Sequence, residues 1–473
     1  MKNASSLASR SRAIRMTMLA VAAAASMACS AAPSYTAPDD DFKGRVSPVE
    51  TPVIYPGTLV KLAGSNFKPG QEVQVLYQGE SVTGKPVVAD SEGKFTTQTQ
   101  IPKDAVPGRH PLVVSVTKPA AAAVLPLKVS PEVPLSGADQ FNIQSQKLVP
   151  GLYQSAYSAK NNAVFVASAV GRPPVSRSEL TKLDADTLKE LKRVSPLSAP
   201  DRRAPDGSSQ SGGLYAVYGV GVDDANDTVW VTNTRQNTVA VYKQSDLSLV
   251  KQFEPGVVSH ARDVVVDGRT GKVFATAARS ADVVVFDAKT LEKTKSIALT
   301  SSVRGPQAAP FSTMSLALDE ASGQLFVVSA SGDVAVIDTK TDEVKKVFAV
   351  KGASSAAGVA YDAKHQRVLV ASQGSDNLVI ADANTGEVLH DVPVGAGSLN
   401  VAFDPVRELA YVSNRGSGTV TVVNAEGKIV ANLEAAPLIN HVAIGPKGVV
   451  YAVNKGSADA EGSDHIRRIQ PKN

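Results

Sequence analysis

His260 and Arg262, two residues apart in SHARD (259–263), concentrate more chemistry than any other short stretch of this 473-residue chain. An imidazole beside a guanidinium can grip a carboxylate or phosphate, the Arg supplying two parallel N–H donors. His441, in LINH (438–441), could pair with His260 as half of a metal site, but the sequence names no carboxylate or thiolate that must join them. G-x-S-x-G, H-E-x-x-H and C-x-x-C-H are all missing. The sequence therefore predicts no catalytic residue and no cofactor, with a bound metal or metal chelate the one exception to test. Asp267, Asp319, Asp362 and Asp404 recur beside Gly, Pro, Ala or Glu and suit turn caps better than ligands.

The elements that must hold these residues repeat. An apolar burst led by an aromatic or aliphatic residue returns as FVAS from Phe165, WVTN from Trp230, FATA from Phe274 and FVVS from Phe326. It continues as LVAS from Leu369, YVSN from Tyr411 and YAVN from Tyr451. Short alternating runs flank each burst, such as DVVVD before and DVVVFD after, and the common spacing is near 42 residues. Four short antiparallel strands at that period predict a blade, and seven of them predict a closed wheel. The seventh unit stops at Asn473 without a fourth strand, so the alternating run FNIQSQKLV (141–149) is expected to complete it.

Such a wheel gathers the loops that lead into its innermost strands onto one face, where binding groups collect. Aligning LYQS, AVYG, SHARD, FSTMS, SSAAG, GSLN and LINH gives the candidate ligand-binding set. It comprises Tyr153, Gln154, Tyr218, His260, Arg262, Ser312, Thr313, Ser355, Ser398, Asn400, Asn440 and His441.

WVTNTRQNTVAVY and YVSNRGSGTVTVVN resemble the repeat of the YVTN-type β-propellers, Y-V-T-N-x-x-x-x-T-V-x-V-I-D, over about residues 153–470. The resemblance implies a seven-bladed β-propeller (139–473) in an exported bacterial protein. It says little of chemistry, since members include proteins of unclear role and others proposed to sit near metal-uptake systems. A more limited similarity to lactonase-type and quinoprotein propellers makes a hydrolase or oxidoreductase one alternative. The only Trp and an aromatic content of 5% weaken the stacking that some cofactor or sugar sites use.

The N-terminus carries Lys2, Arg10, Arg12 and Arg15 ahead of an Ala-rich apolar stretch and small residues, an export signal over 1–28. Cys29 is the only cysteine and stands where a bacterial lipoprotein signal places its lipidated residue, with Ser26 in place of the usual Leu. A lipid on Cys29 would tether an otherwise soluble chain. The whole chain has 49 Lys and Arg against 45 Asp and Glu. The four basic residues of the signal account for this excess, so net charge gives no argument for nucleic acid. Residues 29–50 look like a Pro- and Asp-rich linker. Residues 51–131 show short strands between Pro, Gly and Asp turns, which predicts a small β-sandwich. Its GSNFKPGQEV resembles the G-x-x-F-x-P-G-x-x-V turn of bacterial Ig-like modules.

These features predict an all-β, exported, non-enzymatic binding or scaffold protein of the cell envelope, in the periplasm or at the outer membrane or cell surface. Its partner would be an envelope protein or a small anionic or metal-bearing ligand, met through the His260 face, with the membrane touched only by the lipid. Single-stranded nucleic acid is a second alternative, drawn from the family resemblance and from Arg202, Arg203, Arg467 and Arg468. Against it stands the absence of interleaved basic and aromatic residues.

Overall fold

The computed structural model describes residues 38–203, 206–305, 309–456 and 462–472. The export signal and Cys29 lie outside the described residues. The described chain is all-β, and none of its helices is long and apolar enough to cross a membrane.

The N-terminal part forms two antiparallel sheets. One contains Arg45–Val49, Leu59–Ser65 and Phe95–Gln100; the other contains Glu80–Ser81, Glu72–Tyr77, Gly108–Thr117 and Ala120–Val129, with Val87–Val88 added beside Glu72–Tyr77. Val60, Leu62, Val73, Val75, Leu112 and Val114 alternate with more exposed neighbours and bury together between the sheets. The first strand lies inside the stretch 29–50 expected to be a linker. Its alternation R-V-S-P-V buries Val46 and pairs along Leu59–Ser65, and that pairing outweighs the polar composition.

Seven four-stranded antiparallel sheets follow, numbered I to VII here. Their first strands are Leu152–Ser158, Val217–Asp223, Ala261–Asp267, Thr313–Asp319, Ala356–Asp362, Ser398–Asp404 and Ile439–Ile444. Each first strand packs against the next, and that of sheet VII packs against that of sheet I. Among the described residues the apolar cores follow the same cycle. Phe165 of sheet I buries with Val229 of sheet II, Trp230 of sheet II with Val273 of sheet III, and onward to Tyr451 of sheet VII with Leu152 of sheet I. The aromatic that leads each burst, or Leu369 in sheet V, is thus the filler between two sheets. Sheet VII runs Ile439–Ile444, Val450–Asn454, His465–Pro471 and then Phe141–Lys147, so its outermost strand comes from before sheet I. Phe141 is buried there, edge-on to Tyr411 at 6.4 Å.

The turns are held by acidic caps. Asp267, Asp362 and Asp404 each accept two backbone N–H bonds from residues two and three further on, while Asp319 accepts from the Ser322 hydroxyl. Asp184, Asp287, Asp338 and Asp382 do the same in the turn between third and fourth strands, and these bonds hold their carboxyls below the usual range.

First strands approach so closely that two of them need glycine. A Cβ on Gly219 would lie 2.5 Å from the Arg262 carbonyl oxygen, and one on Gly358 would lie 2.6 Å from the Asn400 Cα. Gly219→Ala must push sheet II from sheet III and is expected to cost about 1–3 kcal/mol in chemical denaturation. A variant as stable as its parent would show that the two strands are not packed this tightly.

The N-terminal sheets dock on the same end of the seven-sheet unit as the loops leading into the first strands. Lys128 Nζ reaches the buried Asp376 at 2.7 Å and the Gln373 carbonyl at 2.8 Å, while Arg109 donates to the Gly374 carbonyl. Further along, Asn432 Nδ2 donates to the Val133 carbonyl at 2.8 Å.

Candidate functional site

The twelve candidates divide into three groups by what already engages them. Gln154, Asn400 and His441 occupy the same position of their first strands, and each accepts a backbone N–H from the next sheet round the cycle. Gln154 Oε1 takes the Val220 N–H at 3.2 Å, Asn400 Oδ1 the Val442 N–H at 3.0 Å, and His441 Nδ1 the Ser155 N–H at 3.4 Å. Asp263, which the sequence did not single out, does likewise for the Leu316 N–H at 3.0 Å. These four side chains pin sheet to sheet. Burial pushes the Asp263 carboxyl up in spite of neighbouring Arg262. Burial, and then Arg262, push the His441 imidazole down to about 3, so it stays neutral with Nδ1 as acceptor.

Ser312, Thr313, Ser355 and Ser398 belong to sheets IV to VI and are not drawn into one cluster. Ser312 and Ser398 donate to the carbonyls of Ala278 and Gly395, Thr313 is buried with its hydroxyl unpartnered, and Ser355 is exposed at a left-handed φ of 49°. Asn440 is buried and donates to the Tyr153 carbonyl at 3.1 Å.

Tyr153, Tyr218, His260 and Arg262 do share a neighbourhood. Tyr153 meets Tyr218 edge to face, ring centres 4.5 Å apart. Lys455 Nζ sits 5.1 Å above the Tyr153 ring, and Arg235 lies over the Tyr218 ring while its Nε donates to the Tyr218 hydroxyl at 3.2 Å. His260 takes a left-handed φ of 51°, its N–H held by Asn237 Oδ1 at 2.8 Å. Burial depresses its imidazole, and Arg279, Arg235 and Arg262 depress it further. Lys455 is likewise held low by burial, then by Arg415 and Arg235. Of these five cations, Arg262 and Arg279 neighbour His260, Arg415 neighbours Lys455, and Arg235 neighbours both.

Four of these five cations were missed by the alignment of loops leading into first strands. They follow the second strand, where the repeat shows WVTNTR, FATAAR, YVSNR and YAVNK, so their signal was the residue one or two places after each burst. Among the described residues none of the five has a carboxylate within ion-pairing distance. The Nε atoms of Arg262 and Arg415 are buried without a hydrogen-bond partner. The short pairing of Arg202–Arg203 with Ser209–Gln210 lies beside them, Arg202 and Arg235 lining one cavity of about 260 Å³. No group of three or more His, Cys, Asp or Glu stands close enough among the described residues to hold a metal, so His260 and His441 gain no third ligand there.

No known family model matches the chain. It is similar to the uncharacterized protein YncE of Salmonella typhimurium, 22% identical over 317 residues that cover 64% of this chain and 82% of that protein. The YncE protein of Escherichia coli K12 is 23% identical over 267 residues, covering 54% and 68% respectively. The chain is thus an all-β, multi-sheet protein with weak similarity to YncE-type proteins.

Proposed function

We propose that this chain is an exported seven-bladed β-propeller carrying an N-terminal immunoglobulin-like module, and that it binds an anionic ligand or partner at the face around His260 and Arg262 without transforming it. The cycle of first-strand contacts and shared cores supports the wheel, and the N-terminal signal supports export, with Cys29 as the lipid anchor to the envelope. One observation carries the binding reading: Arg235 and Lys455 cover the rings of Tyr218 and Tyr153, His260 beside them feels Arg279, Arg235 and Arg262, and none of these cations has an ion-pair partner among the described residues. Like charges held together in a partly buried place are unfavourable in the free protein, and an anion relieves them.

The side chains nearest these cations have structural duties. Asp263 and His441 are committed to backbone N–H groups, which leaves neither free to act as a general base. Calorimetry of the purified chain against heparin and a panel of small anions should detect salt-sensitive binding. Arg262→Ala should weaken it by ~2–5 kcal/mol, the cost of removing one charge from a desolvated ion pair. Binding that is indifferent to Arg262→Ala, or absent across the panel, would overturn the proposal.

A further inference from the structure

We propose that the anion is seated in the cavity of about 260 Å³ between residues 199–212 and the turn Thr234–Gln236. There Arg202 and Arg235 hold a single compact oxyanion head, a carboxylate or a phosphoryl group. This inference rests on the anion-binding reading and gives that reading its seat.

Arg235 is oriented by the fold itself. Its guanidinium lies over the Tyr218 ring, and its Nε donates to the Tyr218 hydroxyl at 3.2 Å. That bond fixes the fork and leaves both Nη groups without a hydrogen-bond partner among the described residues. Two such donors can meet two oxygens of one carboxylate or phosphate in parallel. The residue is exposed and lines the cavity, so a solute can reach it. Next to it, Gln236 accepts the Ala216 N–H at 3.0 Å and donates to the Leu214 carbonyl at 3.1 Å. The turn that carries Arg235 is thereby tied to the stretch that carries Arg202.

The wall on the Arg202 side is held by its backbone. Arg202 pairs with Gln210, the Ala199 N–H donates to the Gly213 carbonyl at 2.7 Å, and the Leu214 N–H donates to the Val175 carbonyl at 2.8 Å. Gly212 shows how tightly this wall is built, since a Cβ there would lie 2.1 Å from the Pro200 carbonyl oxygen. Arg202 is exposed, and neither it nor Arg235 has a carboxylate within ion-pairing distance among the described residues. Asp201 is the one carboxylate in the lining, and it accepts the Ser209 hydroxyl at 3.3 Å. A second negative group on the ligand would meet Asp201, so the cavity suits one oxyanion. Its volume falls short of the roughly 300–1,000 Å³ that enclose a whole drug-sized ligand, so it takes a head group. Pro173, Pro200 and Pro255 give that head apolar walls. Asn237, also in the lining, accepts the His260 N–H at 2.8 Å, which joins the cavity to the His260 face.

Phenylglyoxal, which modifies accessible guanidiniums, reads this seat residue by residue in the purified chain. Inorganic phosphate or acetate, at an ionic strength held constant with chloride, should protect Arg202 and Arg235 together. Arg203 is exposed but absent from the lining, and its rate of modification should not change. Peptide mass spectrometry follows the three sites, and calorimetry with the same two anions names the preferred oxyanion. Arg202→Ala should weaken that binding at least tenfold, and Arg203→Ala less than twofold. Arg235→Lys should also cost at least tenfold, because the charge stays but the fork is lost. Tyr218→Phe keeps the ring and removes the acceptor that orients Arg235, and should weaken binding severalfold. Circular dichroism and melting of each variant separate lost binding from lost folding. Protection that spares either Arg202 or Arg235, or binding that survives Arg202→Ala, overturns this seat. If Arg262→Ala still abolishes that binding, the anion-binding reading stands without the seat.

Discussion

Lowering the pH from 7 to 4.5 should cost this protein stability through His441, and His441→Gln should remove that part of the loss, while the raised Asp263 carboxyl acts in the opposite direction in both proteins. In the unfolded chain His441 takes up a proton near pH 6.5, while in the fold its imidazole is pushed down to about 3. Between those values the unfolded state binds a proton that the folded state refuses, so stability rises with pH. The contribution is complete above about pH 7 and is lost progressively as pH falls towards 3; it is at most about 5 kcal/mol over the whole window, of which roughly 3 is lost by pH 4.5. The physical cause is local. Nδ1 accepts the Ser155 N–H across the junction of sheets VII and I, and Arg262 stands nearby. Glutamine can offer an oxygen to the same N–H and does not titrate. His260 is also depressed and adds to the slope in the same direction, which Arg262→Ala would partly relieve. Urea unfolding of parent and His441→Gln at pH 7, 5.5 and 4.5 measures the effect. Parallel stability–pH curves for the two would show that His441 does not hold this junction in its neutral form.

Lys128→Ala should cost roughly 2–3 kcal/mol, a little under the usual penalty for breaking a buried ion pair because the lysine is partly exposed. Asp376 is the reason. Its side chain is 1% exposed and accepts both from Lys128 at 2.7 Å and from the Gly397 N–H at 2.6 Å. Without the ammonium it becomes a buried carboxylate held by one backbone donor. The double variant Lys128→Met with Asp376→Asn removes both charges and should recover much of the loss, since an uncharged pair of similar shape carries no stranded ion. Thermal unfolding of the three proteins at one protein concentration distinguishes these outcomes. A Lys128→Ala protein that melts with its parent would mean that the contact between the two units carries little energy.

The placement of strands was legible because each sheet is written in the same local terms. Alternating Val and Ile runs, an aromatic filler and an Asp-capped turn recur at a steady spacing, and one sheet follows each burst. The strand Arg45–Val49 escaped notice because Pro48 and the surrounding acidic and polar residues masked a five-residue alternation that only its partner strand makes decisive. The site was legible in part. Tyr153, Tyr218, His260 and Arg262 do lie together, but Gln154, Asn400 and His441 turn out to be pins between sheets. Whether an acceptor faces a ligand or the N–H of the next strand depends on how closely two strands approach, and residue type does not carry that distance. The cations after the second strands were overlooked because only one class of loop was aligned, although both classes lie on the same end of the sheets.

The strand Phe141–Lys147 pairs with His465–Pro471, whose sequence lies more than 300 residues away. That separation sets an order of events. A chain delivered N-terminus first carries this strand with no partner until His465–Pro471 arrives. Closing so long a loop is slow, because its entropy must be given up before any contact compensates for it. Until then the six earlier sheets would stand as an open arc with an apolar sheet face uncovered at each end and Phe141–Lys147 without its partner strand, a state open to association between molecules. The pairing of Phe141–Lys147 with His465–Pro471 inside sheet VII is therefore expected to form late, and its loss would leave that sheet one strand short.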